Sequence, residues 1–319
     1  MNLEQLRGFV AVAELGHFTR ASETLHLAQP SLSRQISTLE QELGAELFHR
    51  ARGNITLTAA GETLLPRARR MLTDAEAIRT EMAELAGLQR GRVRLGATPT
   101  LCISLVAEVL RSFRSVYPGV ELQLVEGGSN LLIEQLAAGT VDMALVTMTD
   151  SRPVTGTALS RTALLTEELV VVSSAAEPMI VTPTIDLRGL AKLPLVALAE
   201  SYDLRDATDA AFRAAGLAPS PVVEGAEMDA VLRFVERGIG VAVVPATVPV
   251  DRPSLRATRL TDPQLERTIV IAHRNDVNPT RAAAAMRTVI ARTARDLAAR
   301  SPETLHLVDE QAVTSPPAP

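Results

Sequence analysis

The run Gln29-Pro30-Ser31-Leu32-Ser33-Arg34 carries the first chemical signal in this chain. On a helix, Leu32, Ile36, Leu39 and Leu43 fall in one narrow stripe, while Pro30, Arg34, Ser37, Thr38 and Gln41 take the opposite side, with Ser33 near its edge. The polar side has no acidic residue at its front, since Glu40 and Glu42 arrive only toward the end. A guanidinium at Arg34 can fork two hydrogen bonds onto guanine O6 and N7, and the Gln29 amide can pair with adenine. Arg50 and Arg52, a short distance on, can neutralise phosphates. The plainer alternative is a solvated helix face in a small bundle.

Catalytic constellations are weaker. The histidines are His17, His26, His49, His273 and His306; none pairs at i, i+4, and none stands in a cleft loop with a Ser or Asp motif. A single cysteine, Cys102, excludes an intrachain disulfide and a zinc site built from four cysteines of one chain. Gly91 to Gly96 has Walker-like glycine spacing but no following Lys-Ser/Thr, and Gly238-Ile239-Gly240 precedes a strand instead of following one. An enzyme, a metal and a cofactor are therefore not expected. Cys102 follows Thr100 near an expected helix start, where a thiol's pKa can fall. A redox-responsive role for it is the alternative to a small buried residue, which is favoured because no second cysteine can resolve a sulfenic acid.

These side chains need elements to hold them. Leu3, Leu6, Phe9, Val10 and Ala13 recur at helical spacing. Thr19 is placed to cap a short helix through Leu25, and Pro30 to open a third helix, where its missing N–H costs nothing. Ile55 to Thr58 alternates like a strand, so Gly53-Asn54 reads as a hairpin tip carrying Arg50 and Arg52. Then Leu64, Ala68, Met71, Ala75, Ile78, Met82 and Leu85 repeat at heptad spacing, which predicts a dimerising seam rather than a helix lying on its own domain.

Beyond Gly91, short β-branched runs alternate with helices, which predicts parallel α/β sheets with helices on both faces. Expected strands include residues 93–97, 120–125, 142–146, 169–172, 195–198, 241–244 and 268–271. Three loops follow strands: Thr98-Pro99-Thr100, Gly127-Gly128-Ser129-Asn130 and Thr147-Met148-Thr149. Hydroxyls and N–H groups at such ends suit a small anion, often a carboxylate. Any one of these residues also reads as a plain N-cap. Residues 301–319, ending Ser-Pro-Pro-Ala-Pro, read as a disordered tail.

Of 319 residues, 46% are apolar and 22% charged, an ordinary globular balance for two or three domains. The net charge of -5 does not advertise a polyanion binder, yet residues 1–70 hold eight arginines against seven glutamates. Lys192 is the only lysine, so nearly every cation is a forked guanidinium. No signal peptide and no uncharged 18-residue stretch is present, so the expected location is the cytoplasm, off the membrane.

Residues 18–36, with Leu39-Glu40-Gln41-Glu42-Leu43-Gly44, Leu47-Phe48-His49-Arg50 and Leu57-Thr58-Ala59-Ala60-Gly61, closely resemble the winged helix-turn-helix of LysR-type transcriptional regulators. The match is contiguous over roughly 45 residues and continues more loosely to about residue 300, through Gly238-Ile239-Gly240-Val241-Ala242-Val243-Val244-Pro245. The resemblance implies an all-α winged helix-turn-helix at 1–58, a linker (dimerisation) helix at 59–90, and an α/β effector domain at 91–300. That domain would resemble type 2 periplasmic binding proteins, with subdomain I at about 91–163 and 269–300 and subdomain II at about 164–268. The chain would cross between them near Ala163–Glu168 and Arg267–Val270. Expected DNA contacts are Thr19, Gln29, Pro30, Ser31, Ser33, Arg34, Ser37, Arg50 and Arg52. Asn54 makes the wing less basic than is common in the family. Expected effector contacts are Thr98, Thr100, Ser129 and Thr147, faced by Ser201-Tyr202-Asp203. The implied partners are double-stranded promoter DNA, a homodimer or homotetramer, a small carboxylate or other polar metabolite, and RNA polymerase. A solute-sequestering protein is the alternative from another class, opposed by the helix-turn-helix.

Overall fold

Asn2 starts the first helix by accepting a hydrogen bond from the Gln5 N–H, while the Gln5 side chain accepts from the Asn2 N–H, a reciprocal capping box. In this computed structural model, which describes residues 1–51, 54–85, 91–148, 159–200 and 202–308, the chain divides into two units. One is Met1–Gly91 with Glu134–Val141; the other is Arg92–Ile133 with Asp142–Pro319.

The first unit opens with α1 (Leu3–Leu15), α2 (Phe18–Thr24) and α3 (Gln29–Leu43). Leu6, Phe9, Val12, Ala21, Leu32, Ile36 and Leu39 are buried together with Leu47 and Phe48. The Phe9 and Phe48 rings lie 5.3 Å apart. Each such aliphatic or aromatic burial contributes about 1.5–3 kcal/mol, which is what holds so small a bundle. Gly8 lets α1 and α3 cross closely, since a Cβ there would meet Leu32 Cδ1 at 2.7 Å. Two expectations are corrected. Thr19 is not a cap: His17 precedes α2, and Thr19 is that helix's second residue. Leu43 is 42% exposed, because α3 outruns the core by a turn before Gly44 ends it in the left-handed conformation.

β1 (Phe48–Ala51) pairs antiparallel with β2 (Asn54–Leu57). Ala51 faces Asn54, so Asn54 opens the second strand, and Arg52 and Gly53 lie outside the described residues. α4 (Ala59–Leu85) follows, with Thr58 Oγ1 accepting from the Gly61 N–H. The heptad seam divides in two. Ala68 is fully buried and Leu64 partly buried in the core of α1–α3, which contradicts a seam role for both, whereas Met71, Ile78 and Met82 are exposed. Ala75 is half-buried, and the side chain of Leu85 lies outside the described residues.

The second unit begins with β3 (Arg92–Ala97), α5 (Pro99–Leu101), a π-helical turn (Cys102–Val106) and α6 (Ala107–Val116). β4 (Glu121–Glu126), α7 (Ser129–Ala137, whose residues from Glu134 on belong to the first unit), β5 (Met143–Met148) and the long β6 (Leu159–Ser174) come next. β7 (Thr184–Asp186), α8 (Leu187–Leu190), β8 (Leu195–Leu198), α9 (Asp203–Ala214), β9 (Pro221–Ala226), α10 (Met228–Glu236) and β10 (Ala242–Pro245) follow. β11 (Leu255–Thr261), β12 (Glu266–Arg274), α11 (Arg281–Arg300) and β13 (Leu305–Leu307) complete the order.

The sheet order is β4-β3-β5-β12-β6-β11-β7, with β10 and β13 also paired to β6. It is mixed, not parallel as expected: β3 is parallel to β4 and β5, but β12 runs antiparallel to both β5 and β6. Two long strands passing through the middle in opposite directions impose this. Buried side chains form two separate cores along them, one from Val93 to Leu165 with Ile269 to Leu305, the other from Leu169 to Leu260. Strands β7, β9, β11 and β13 escaped the sequence reading because they are short or alternate with charged residues. β13 also corrects the disordered tail: Leu305 is buried and pairs with Glu167, so order reaches residue 308. Residues 309–319 lie outside the described residues. Gly240 packs where a Cβ would sit 2.3 Å from the Pro194 carbonyl oxygen, which explains the glycine turn before β10.

Candidate nucleic-acid interface and ligand cleft

α3 has a dry face and a wet one. Leu32, Ile36 and Leu39 are fully buried; Gln29, Pro30, Ser31, Arg34, Thr38 and Gln41 are exposed, and Ser33 and Ser37 are half-buried between them. Pro30 is the second helical residue, one later than expected, still in the first turn, where its missing N–H costs no helical hydrogen bond. The Ser31 N–H donates to the Ala28 carbonyl oxygen at 2.9 Å, so what that turn presents is short polar side chains and a guanidinium. Arg34 has no ion-pair partner among the described residues, so its donors stay available. Thr19 is also exposed. Arg50 lies on β1 with its side chain outside the described residues, and Arg52 is outside them altogether.

In the second unit, the loops after β3 and β5 and the start of α7 converge with the start of α9 on a cavity of about 180 Å³. Thr98, Thr100, Thr147 and Tyr202 line it, as do Asp203, Glu227 and Arg267. Ser129 does not line it but stands directly behind. Its Oγ donates to Asp203 Oδ2 at 2.6 Å, and Thr147 Oγ1 donates to the same oxygen at 3.2 Å. Tyr202 OH donates to Glu227 at 2.5 Å and accepts from the Met228 N–H. Burial, reinforced by the Glu227 hydrogen bond, raises the Tyr202 pKa, so the phenol stays protonated and remains a donor.

Beneath the cavity, Arg267 Nε donates to Glu167 at 2.8 Å and Nη1 donates to Thr100 Oγ1 at 2.8 Å. The remaining oxygen of Glu167 accepts from Thr247 Oγ1 at 2.8 Å. Arg267 and Glu167 are 5% and 0% exposed, so this is a buried pair fixing the Thr98–Thr100 loop to β6 and β12. The Thr98 hydroxyl, in a residue 5% exposed, has no partner. A larger cavity of about 300 Å³ lies by α9, with mostly apolar walls including Val196, Leu204 and Phe212. Its Arg205 is already held by Asp209 and Glu224, and it gathers none of the expected contact residues.

Residues 3–62 match the family model for a bacterial regulatory helix-turn-helix protein of the lysR family, and residues 86–295 match the LysR substrate binding domain. The chain belongs to the LysR family of transcriptional regulators. Among curated relatives, the HTH-type transcriptional regulator IlvR of Caulobacter vibrioides is 32% identical over 283 residues, covering 88% of this chain and 95% of that one. The uncharacterized regulator YybE of Bacillus subtilis is 31% identical, covering 85% and 92%. Among solved structures, a full-length OxyR variant from Pseudomonas aeruginosa superposes with a TM-score of 0.70 at 27% identity, covering 92% and 95%. CbnR, a LysR family transcriptional regulator, gives 0.66 at 25%, covering 92% and 99%.

In this LysR-family regulator the expected fold class holds: a helix-turn-helix head and an α/β effector domain of two subdomains. Four of the five expected effector residues line one cavity, and Ser129 supports it. Ser201 lies outside the described residues. Glu167, Arg267, Thr247 and Glu227 escaped assignment as site residues. Thr100 and Arg267 are 167 positions apart, and no local pattern marks either as the other's partner. Burial, with the Glu126 charge adding to it, pushes the Cys102 thiol up to about 12, the opposite of the fall expected at a helix start.

Proposed function

We propose that this transcriptional regulator reads promoter DNA with the first turn of α3 and is switched by a small polar effector bound in the cleft at Thr98, Thr100, Thr147 and Tyr202. Arg34, Gln29 and Ser33 contact base edges; Thr19, Ser31, Ser37, Arg50 and Arg52 contact phosphates, with Pro30 holding the turn against the groove. The exposed apolar residues of α4, Met71, Ile78 and Met82, pair two chains, and the site acts in the cytoplasm. Among the described residues no helix is long and apolar enough to cross a membrane. The subdomains divide at about residues 163 and 269, where β6 and β12 pass from one core to the other.

The observation that carries the DNA reading is the two-faced α3, with its apolar stripe spent in the core and Arg34 exposed and unpaired. Footprinting on the intergenic DNA beside the regulator's own gene tests it. Two protected half-sites, weakened by salt and lost in Arg34→Ala, are expected. Protection that survives Arg34→Ala unchanged, at the same sequence and salt dependence, contradicts it.

A further inference from the structure

Resting on the effector cleft proposed above, we infer that Asp203 is an internal latch: its carboxylate, carried by one subdomain, bonds the hydroxyls of the other and holds the cleft closed. Asp203 is the first residue of α9, in the second subdomain. Ser129 opens α7 and Thr147 lies near the end of β5, both in the first. Ser129 Oγ donates to Asp203 Oδ2 at 2.6 Å, and Thr147 Oγ1 donates to the same oxygen at 3.2 Å. Both donors belong to residues more than nine-tenths buried. The Thr147 N–H in turn donates to Ser129 Oγ at 3.3 Å, which occupies the serine oxygen and leaves its hydrogen for Asp203.

A hydroxyl donating to a carboxylate at 2.6 Å makes a bond about twice as strong as a neutral pair. The Asp203 carboxylate also stands at the starts of two helices, α7 and α9, whose N–H ends favour negative charge. It is not committed to its own helix, since Tyr202 holds the N-cap position of α9 and no side chain caps it. The buried pair of Arg267 and Glu167 acts differently. Those residues lie on β12 and β6, so their bonds to Thr100 and Thr247 tie each subdomain to the strands that join them. The bonds of Asp203 instead run from wall to wall. Ile103, in the π-helical turn of the first subdomain, also packs across, onto the apolar core of the second, and the space left between the walls is the cavity of about 180 Å³. Parting the walls strips two buried hydroxyls and a carboxylate of one another, and water or a ligand has to replace those bonds. An effector that does so competes with the latch, so occupancy of the cleft and the state of Asp203 are linked.

Acrylamide quenching of tyrosine fluorescence in the full chain tests this with no ligand added. Tyr202, 7% exposed, lines the cavity beside Asp203, and Tyr117→Phe leaves it as the only tyrosine. In that background Ser129→Ala with Thr147→Val cuts the latch from the opposite wall and leaves α9 intact, whereas Asp203→Ala cuts it from its own wall. Each is expected to raise the quenching constant of Tyr202 about twofold or more, with melting temperatures confirming that the variants fold. Combining all three substitutions is expected to add nothing further, because the same bonds are being removed. Quenching that rises only when Asp203 itself is changed, or effects that add, means that Asp203 packs beside Tyr202 without latching the cleft, and overturns the inference. Unchanged quenching in every variant overturns it as well. If Asp203→Ala fails to fold, the pair Ser129→Ala and Thr147→Val decides alone. No effector enters the measurement, so failure of the latch leaves the effector cleft standing, and an effector found to bind elsewhere leaves the latch.

Discussion

Replacing Arg267 with Met tests whether the effector domain depends on its buried ion pair. The substitution keeps most of the side-chain volume but leaves the Glu167 carboxylate, 0% exposed, with Thr247 Oγ1 as its remaining side-chain donor. Breaking one side of a buried pair costs about 3–5 kcal/mol, because the surviving charge stays desolvated without its counter-ion. For a domain of this size each kcal/mol moves Tm by roughly 2–4 °C, so a fall of about 10 °C is expected. Glu167→Gln combined with Arg267→Met removes both charges and should recover at least half of the loss. The chain has no tryptophan, and its two tyrosines, Tyr117 and Tyr202, both lie in the second unit. Tyrosine fluorescence during urea unfolding therefore follows this unit without interference from the helix-turn-helix. An unchanged denaturation midpoint in Arg267→Met, or a double variant no better than the single one, would refute the reasoning.

Four other outcomes follow from the same structure. Arg34→Ala should cost roughly 1–3 kcal/mol on the specific site and relax base preference, whereas Arg52→Ala should weaken all sequences alike and flatten the salt slope; competitive gel shifts separate the two. Gly61→Ala should destabilise the head by about 1–3 kcal/mol by thermal unfolding, since the added Cβ would stand 2.2 Å from the Leu47 carbonyl oxygen. Met71, Ile78 and Met82 changed together to Ser should weaken self-association in sedimentation without lowering Tm, while Leu64→Ser should lower Tm. Cys102 should alkylate far more slowly at pH 8 than an unfolded thiol. Its folded pKa of about 12 lies above the ordinary 9.0, so the stability it contributes is full below pH 9 and is lost as pH rises toward 12.

How much was legible in the sequence depended on the range of the interaction. The stripe of Leu32, Ile36 and Leu39 is set by helix periodicity alone, so α3 and its outward face could be read directly. Leu64 and Ala68 share the heptad spacing of Ile78 and Met82, yet the first pair is covered by α1 and the second is not. Spacing says which residues share a helix face; it does not say which part of the helix has a neighbour. The same limit hid the direction of β6 and β12, whose pairing joins residues about a hundred positions apart.

By itself, then, the sequence determined the helix-turn-helix, the alternation of the effector domain and the hydroxyl-bearing loops, because local periodicity and turn chemistry specify each within a few residues. Only tertiary structure decided the electrostatic character of the cleft. Thr98, Ser129 and Thr147 suggested a place for a carboxylate while nothing near them in the chain opposed it. Folding brings Asp203 and Glu227 to that place and sets Glu167 against Arg267. Charge acts through space, and its sum at a site is fixed by which distant segments the fold makes neighbours.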